Sequence, residues 1–233
     1  MAAELRTRED FIAQVSRADT TVVEKNAYIV ERCKGRRVLD LGCIDHSHTT
    51  ALALGDQWLH RQIKAVASHL TGLDILQEDA AELNRLGYDI RTGDAERFDL
   101  GETYDVIVAG DLIEHLSNIG LFLRCVKRHM HAESIFIFST PNPFNIEQAL
   151  AAVLSNTIHV HPQHAAWLNP HVCWELTQRE GLAVQEFQWV STRFEFYLNE
   201  PGWRLFVNRW ARWIMKRKPL CRRDFAVTLV LAV

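Results

Sequence analysis

The sequence predicts an α/β chain: a Rossmann-like, doubly wound, mostly parallel sheet with a late antiparallel edge strand and helices on both faces. Three observations carry this. "DVIVAG" (105–110) and "SIFIFST" (134–140) are almost unbroken apolar runs, the pattern of strands covered on both sides. Stretches with helical spacing of apolar residues alternate with the strand-like runs, as crossovers between parallel strands do. The last two strands are separated by a long segment with no regular crossover pattern, so a reversed strand is expected there.

Residues 9–33 hold two helical stretches, with Phe11, Ile12 and Val15, then Val22, Val23, Ala27 and Val30 at helical spacing. Lys34-Gly35 ends the second. Residues 37–41 read as a strand and 49–67 as a helix interrupted near Gly55. A strand over 69–73 precedes a helix over 76–86, which Gly87 stops. Strands are expected over 88–91, 104–109 and 134–139, with a helix over 119–129 between the last two. Helices over 145–154 and 170–179 and late strands over 185–190 and 225–233 complete the series.

At 233 residues and 48% hydrophobic, the chain can bury the core of one domain, with or without an appendage. Cys33, Cys43, Cys125, Cys173 and Cys221 are odd in number, far apart and without a CxxC pair. They read as reduced thiols. "MAAELR" shows no apolar leader, and no apolar run approaches a membrane span. The expected location is the cytoplasm, with peripheral membrane association as the alternative.

Net charge is −3, but unevenly spread. Arg204, Arg209, Arg212, Lys216, Arg217, Lys218, Arg222 and Arg223 follow Pro201 with no acid among them. Taking those eight from 26 basic residues leaves 18 against 29 acidic ones, an acidic body with a basic segment. That body disfavours a nucleic-acid partner.

The strand ends carry the chemistry. The first delivers Asp40 and Gly42, the second Asp74 and Ile75, the third Asp94 and Ala95, the fourth Gly110 and Asp111. Singly, Asp74 and Asp94 read as helix caps and Asp40 as a turn residue. Together, one acid per strand end favours a ligand at the carboxyl edge of the sheet, where an acid after the second strand commonly holds ribose hydroxyls. A pyrophosphate demands a glycine-rich loop. Here Gly42 is followed by Cys43, Ile44, Asp45, His46, Ser47 and His48. A nicotinamide dinucleotide is therefore disfavoured. A nucleoside without a phosphate chain fits, and S-adenosylmethionine is such a ligand.

"VLDLGC", "GLDI", "GDAERF", "YDVIVAGDLIEHL" and "IFIFSTPNPFN", in this order, resemble the motifs of class I S-adenosylmethionine-dependent methyltransferases. The nearest likeness is to the ubiquinone-pathway-like superfamily, including bacterial small-molecule and glycan methyltransferases, and covers roughly residues 35–190. The resemblance implies cofactor binding by Asp40 and Gly42 (methionine end), Asp74 (ribose), Ile75 beside it, Asp94 and Ala95 (adenine), with Gly110 and Asp111 flanking the donor. S-adenosylhomocysteine is the implied product. The chain departs from the motif where Ile44 and His46 replace later glycines, and in an insertion around "LGDQWLHRQIKAV", where Trp58 and His60 read as packing residues.

"GDLIEHLSN" and "HVHPQH" bring Asp111, Glu114, His115, His159, His161 and His164 into question. Three readings stand. Glu114 ties its turn to the following strand loop. His115 or His164 is a general base, since an imidazole titrates near neutrality. Or Asp111, Glu114, His115 and His164 hold a divalent metal, a set that resembles the site of small-RNA 2′-O-methyltransferases and ubiquinone-pathway O-methyltransferases. His46, His48, His60, His69, His129, His131 and His171 show no spacing and read as surface or capping residues.

The expected activity is methyl transfer from S-adenosylmethionine, most simply O-methylation of a small molecule or sugar/glycan acceptor. The alternatives are a metal-dependent 2′-O-methyltransferase acting on RNA or vicinal hydroxyls, and a non-catalytic binding module. The expected organisation is an N-terminal helical lid (1–34) and a methyltransferase domain (35–233). Within the latter, 200–223 forms a basic, Trp-rich helical insertion before the last strand. Trp203, Phe206, Val207, Trp210, Trp213 and Ile214 fall at helical spacing there. Packing of that apolar face on the sheet is expected, with contact of 203–218 with a membrane or lipid-linked substrate as the alternative.

Overall fold

The computed structural model describes residues 7–158, 160–191, 210–211 and 213–232. Its strands are β1 (Val23–Glu24), β2 (Arg37–Leu41), β3 (His69–Asp74), β4 (Ile90–Thr92), β5 (Tyr104–Gly110), β6 (Met130–Pro141), β7 (Leu182–Ser191) and β8 (Asp224–Leu231). They form one sheet in the order β1-β7-β8-β6-β5-β2-β3-β4. Strands β4, β3, β2, β5 and β6 are mutually parallel. β8 is antiparallel to both neighbours, β6 and β7. The expected mostly parallel sheet with antiparallel pairing at its late end is thus present. The reversed strand lies one place in from β7, and the short β1 pairs beyond that.

The helices are α1 (Arg8–Ser16), α2 (Lys25–Cys33), α3 (His48–Leu54), α4 (Leu59–Lys64), α5 (Gln77–Arg85), α6 (Ile119–Arg128), α7 (Ile146–Ser155) and α8 (Pro170–Arg179). Local chemistry sets their ends. Ser47, Asn118, Asn145 and Asn169 each accept a hydrogen bond from an amide in the first turn of the helix they precede. Pro170 opens α8, where its missing N–H costs nothing. The interruption expected near Gly55 is real: α3 stops there and α4 restarts after Trp58.

Alternation along each strand divides the core. Leu39 and Leu41 of β2, Ile107 and Ala109 of β5, and Phe136 and Phe138 of β6 pack with α1, α6 and α8. The intervening Val38, Val106, Val108 and Ile137 pack with Tyr28, Ile29 and Cys33 of α2 and Ile63 of α4. Both faces are covered, which explains the unbroken apolar runs. From β2 the chain builds outward through β3 and β4, then returns to place β5 on the other side of β2. Strand ends diverge at such a switch point, leaving a crevice.

Of the basic segment, Trp203, Arg204, Phe206, Val207, Arg209 and Arg212 lie outside the described residues, as does His159. Residues 213–217 are helical. Among the described residues of that segment, Trp210 and Trp213 are 45% and 52% exposed and Ala211 is buried, so these two tryptophans do not show the packing expected of the apolar face. No helix among the described residues is long and apolar enough to cross a membrane.

Candidate active site

The carboxyl ends of β2, β3 and β5 open into a cavity of about 1180 Å³. Its floor begins with Gly42, which adopts φ +67°. A Cβ there would stand 2.8 Å from a methyl of Leu112, so the turn needs glycine for both conformation and space. His46, in place of a later motif glycine, also takes a left-handed conformation (φ 59°). The turn therefore keeps a glycine-like path while presenting an imidazole to the cavity.

Asp40 is buried and its Oδ2 lies 2.8 Å from Nδ1 of His60, itself buried. Trp58 packs beside His60, and its indole N–H donates to the Cys43 carbonyl at 2.8 Å. Gly72, opposite Asp40 on β3, makes room for this group: a Cβ there would stand 2.6 Å from Cys43 Sγ and 3.0 Å from His60 Cε1. Trp58 and His60 pack as expected but not at the surface: both are buried, and both line the cavity.

Asp74 ends β3. Its Oδ2 accepts the Ile44 amide at 2.8 Å and its Oδ1 the Leu76 amide at 3.1 Å. Burial pushes its pKa up, opposed by these amides. Asp74 thus braces the turn after Gly42 while lining the cavity beside the exposed Ile75. Asp94 accepts the Glu96 amide in a local turn, and Ala95 packs against the core. Neither of these two lines the cavity.

At the end of β5, Gly110 and Asp111 face the cavity. Asp111 has φ 52° and is ion-paired with Lys25, at the start of α2. It also accepts the Ser139 hydroxyl at 2.6 Å. Burial alone would raise its pKa; Lys25 and Ser139 outweigh burial and hold it low. Glu114 turns away from this pair. It is buried, and its Oε2 accepts the Thr140 hydroxyl at 3.0 Å while Oε1 has no partner. Burial, then the Asp111 charge, pushes its pKa up to about 8. The bond to Thr140, in β6, is the strand-loop tie that the sequence suggested for Glu114.

His115 and His164 do meet. Their ring centroids are 4.7 Å apart, and His161 lies 5.7 Å from the first and 5.3 Å from the second. Both pKa values are lowered, His115 by burial and then His161, His164 by burial and then His115. The four-residue metal set is split: Asp111 is engaged by Lys25 and Ser139, Glu114 by Thr140, and the two histidines pair with His161 instead. Two of the histidines read as surface or capping residues are buried instead. His60 is the partner of Asp40, whereas His46 is exposed as expected, at the mouth of the cavity it lines. His129 is buried, accepting the Leu100 amide.

Sequence reasoning missed Lys25, His46, His60 and His161 as site residues. Lys25 carried no signal, being 86 residues from Asp111. His60 did carry one: it sits three residues before the buried Ile63, on the same face of a short helix.

Among the described residues the lining contains seven carboxyl groups, and its only lysine or arginine is Lys25, already paired with Asp111. Such a cavity attracts a cation, as a sulfonium is, and repels phosphate.

The profile of the methyltransferase domain family matches residues 14–186. A ubiquinone biosynthesis O-methyltransferase of Azorhizobium caulinodans is 31% identical over 127 residues, 52% of this chain and 46% of that protein. The chain thus spans about half the length of that curated relative. A S-adenosylmethionine-dependent methyltransferase from Clostridium acetobutylicum superposes with a TM-score of 0.58 at 12% identity, covering 93% of this chain and 94% of the other. The cyclase SpnF superposes with a TM-score of 0.56 at 15% identity, covering 89% and 80%. At such identities the likeness is one of fold, and SpnF warns that the fold alone does not name the reaction. The family profile, in contrast, runs from within α1 to within β7 and takes in every strand that opens on the cavity. On that match the chain belongs to the methyltransferase domain family, and it has the fold of class I S-adenosylmethionine-dependent methyltransferases.

Proposed function

We propose that this protein methylates a hydroxyl oxygen of a small molecule, sugar hydroxyls included. The observation that carries the reading is a pair of imidazoles, His115 and His164, held below their ordinary pKa on the wall of an acidic cavity. Asp40, Gly42, Asp74, Ile75, Gly110 and Asp111 serve the cofactor, Asp74 through the ribose hydroxyls, while Asp94 and Ala95, which do not line the cavity, are left without a contact to the adenine. Glu24, Lys25 and Val30 of the N-terminal segment supply one wall, so the segment expected as a lid (1–34) serves as a fixed wall whose helices α1 and α2 pack in the core. The acceptor oxygen attacks the methyl carbon, the carbon–sulfur bond breaks with its electron pair left on sulfur, and an imidazole nitrogen takes the hydroxyl proton. S-adenosylhomocysteine and the methyl ether result. Alignment of the oxygen with the sulfonium supplies much of the rate.

The test is methyl-labelled S-adenosylmethionine incubated with the protein and small-molecule extracts, with the labelled product identified. A labelled ether is expected. Its rate should fall about 10²–10⁴-fold in His164→Ala or His115→Ala while S-adenosylhomocysteine affinity is retained. The acid limb of the kcat/KM profile should lie below the ordinary histidine value of 6.5, because the base works only when neutral. Tight S-adenosylhomocysteine binding with no labelled product from any extract would favour the non-catalytic module.

A further inference from the structure

We infer that His115, His161 and His164 form a three-imidazole site for a borderline divalent cation of the Zn²⁺ and Co²⁺ kind. One ring nitrogen from each lies within 4.8 Å of the others. A tetrahedral ion bound at about 2.0–2.1 Å from each nitrogen needs them roughly 3.3 Å apart. Side-chain rotation closes that difference, because His161 and His164 sit on a turn outside any helix or strand, linked by a His164 amide to His161 carbonyl bond of 3.0 Å. The turn is fastened where it must be. The amides of Ala165 and Ala166 both donate to the Glu114 carbonyl, at 2.8 and 3.0 Å, so the backbone beside His164 is tied to the residue before His115.

The donor set excludes other ligands nearby. Asp111 is held by Lys25 and Ser139, Glu114 by Thr140 through Oε2 alone, and neither acid belongs to the group whose ligand atoms lie within 4.8 Å of one another, so the acid-containing set that the sequence resembles is not assembled. His46 stacks on His161, with rings 24° from parallel, rather than converging with the three. Four of the five thiols are buried and do not compete for a thiophilic ion. Three neutral nitrogens with an open fourth position is a donor set that zinc takes where it also binds a substrate oxygen. All three rings line the cavity, so that position is open to an acceptor. The consequence for the reaction rests on the methyl-transfer reading: in the metal-loaded protein an ion there would acidify a bound hydroxyl, whose proton would leave to solvent through the open cavity, whereas in the metal-free protein an imidazole takes that proton. The acceptor class narrows accordingly to molecules with a hydroxyl able to ligate.

The experiment is a Co²⁺ titration of the full metal-free chain, followed by visible absorption and calorimetry. One equivalent is expected to bind, with ligand-field bands and no intense thiolate-to-cobalt band. His161→Ala and His164→Ala should each weaken binding at least tenfold, and Glu114→Gln should leave it within about threefold. S-adenosylhomocysteine binding by each variant checks that it is folded. Absence of saturable binding, equal affinity in His161→Ala, or loss of binding in Glu114→Gln would overturn the three-imidazole site. Because S-adenosylhomocysteine binding and methyl transfer in chelator are measured separately, such a failure leaves the methyltransferase reading standing or falling by itself.

Discussion

Asp74 performs two tasks with one carboxylate. Each of its oxygens already accepts one backbone amide, and each retains a second acceptor position for a ribose hydroxyl. Asp74→Asn keeps the size but removes the charge and one acceptor. Affinity for S-adenosylhomocysteine is expected to fall by about 1.5–3 kcal/mol, roughly ten- to a hundredfold or more. Calorimetry reads this directly, and an unchanged dissociation constant would take Asp74 off the ribose. His60 is a second single-residue case. His60→Leu leaves the Asp40 carboxylate buried without its partner, and unfolding in denaturant should show a loss of about 1–3 kcal/mol. Partial recovery in His60→Asn, which can still donate to Asp40, would separate the hydrogen bond from the packing.

Between elements, the Lys25–Asp111 pair joins the start of α2 to the end of β5. Lys25→Met strands an aspartate in the site. A fully buried pair broken on one side costs about 3–5 kcal/mol. Asp111 is 38% exposed at its side chain, so solvent reduces the expected loss to about 1–3 kcal/mol. The double variant Lys25→Met with Asp111→Asn should be more stable than Lys25→Met alone, and a thermal melt of the three proteins decides it. This pair also marks where the sequence stopped being legible. The parallel strands could be read because covering both faces forces unbroken apolar runs such as 105–110. The acids at the strand ends could be read because they come directly after those runs. Strand order leaves no such trace: nothing in the composition of β8 places it between β6 and β7. Nor does any local pattern betray a lysine that reaches its partner across 86 residues. His60 shares a helix face with Ile63, which marks its burial, but its role depends on a neighbour, Asp40, that the period of a helix does not report.

For the molecule as a whole, the buried carboxyls shape stability against pH. Glu114 is pushed up to about 8 and Asp224 to about 7, each by burial and then by the Asp111 charge. A folded-state pKa above the unfolded one means that the folded protein holds more protons in between, so stability falls as pH rises through that window. For Glu114 the window runs from its ordinary 4.5 to about 8. Asp111 acts in the opposite sense: its lowered pKa gives stability that is lost as pH falls through the acid range. Subtracting the unfolding free energy of Glu114→Gln from that of wild type across pH 4–9 isolates the first effect. The difference should decline with pH and level off above about 8. A flat difference would mean that Glu114 is ionised in the folded protein.

The place of β8 has a consequence for how the chain is made. β6 emerges from the ribosome long before β8, and its free edge has no partner until residues 224–229 arrive to pair with Pro141 through Phe136. β7 waits too, since its link to the rest of the sheet runs through the same late strand, and β1 reaches the sheet only by way of β7. A nascent chain can therefore complete β2 to β6 and their helices while one side of the sheet stays open, an edge prone to pairing with another copy. The closing strand is translated after both of the strands it separates, so its emergence, rather than synthesis of the cofactor half, times the moment at which the sheet closes.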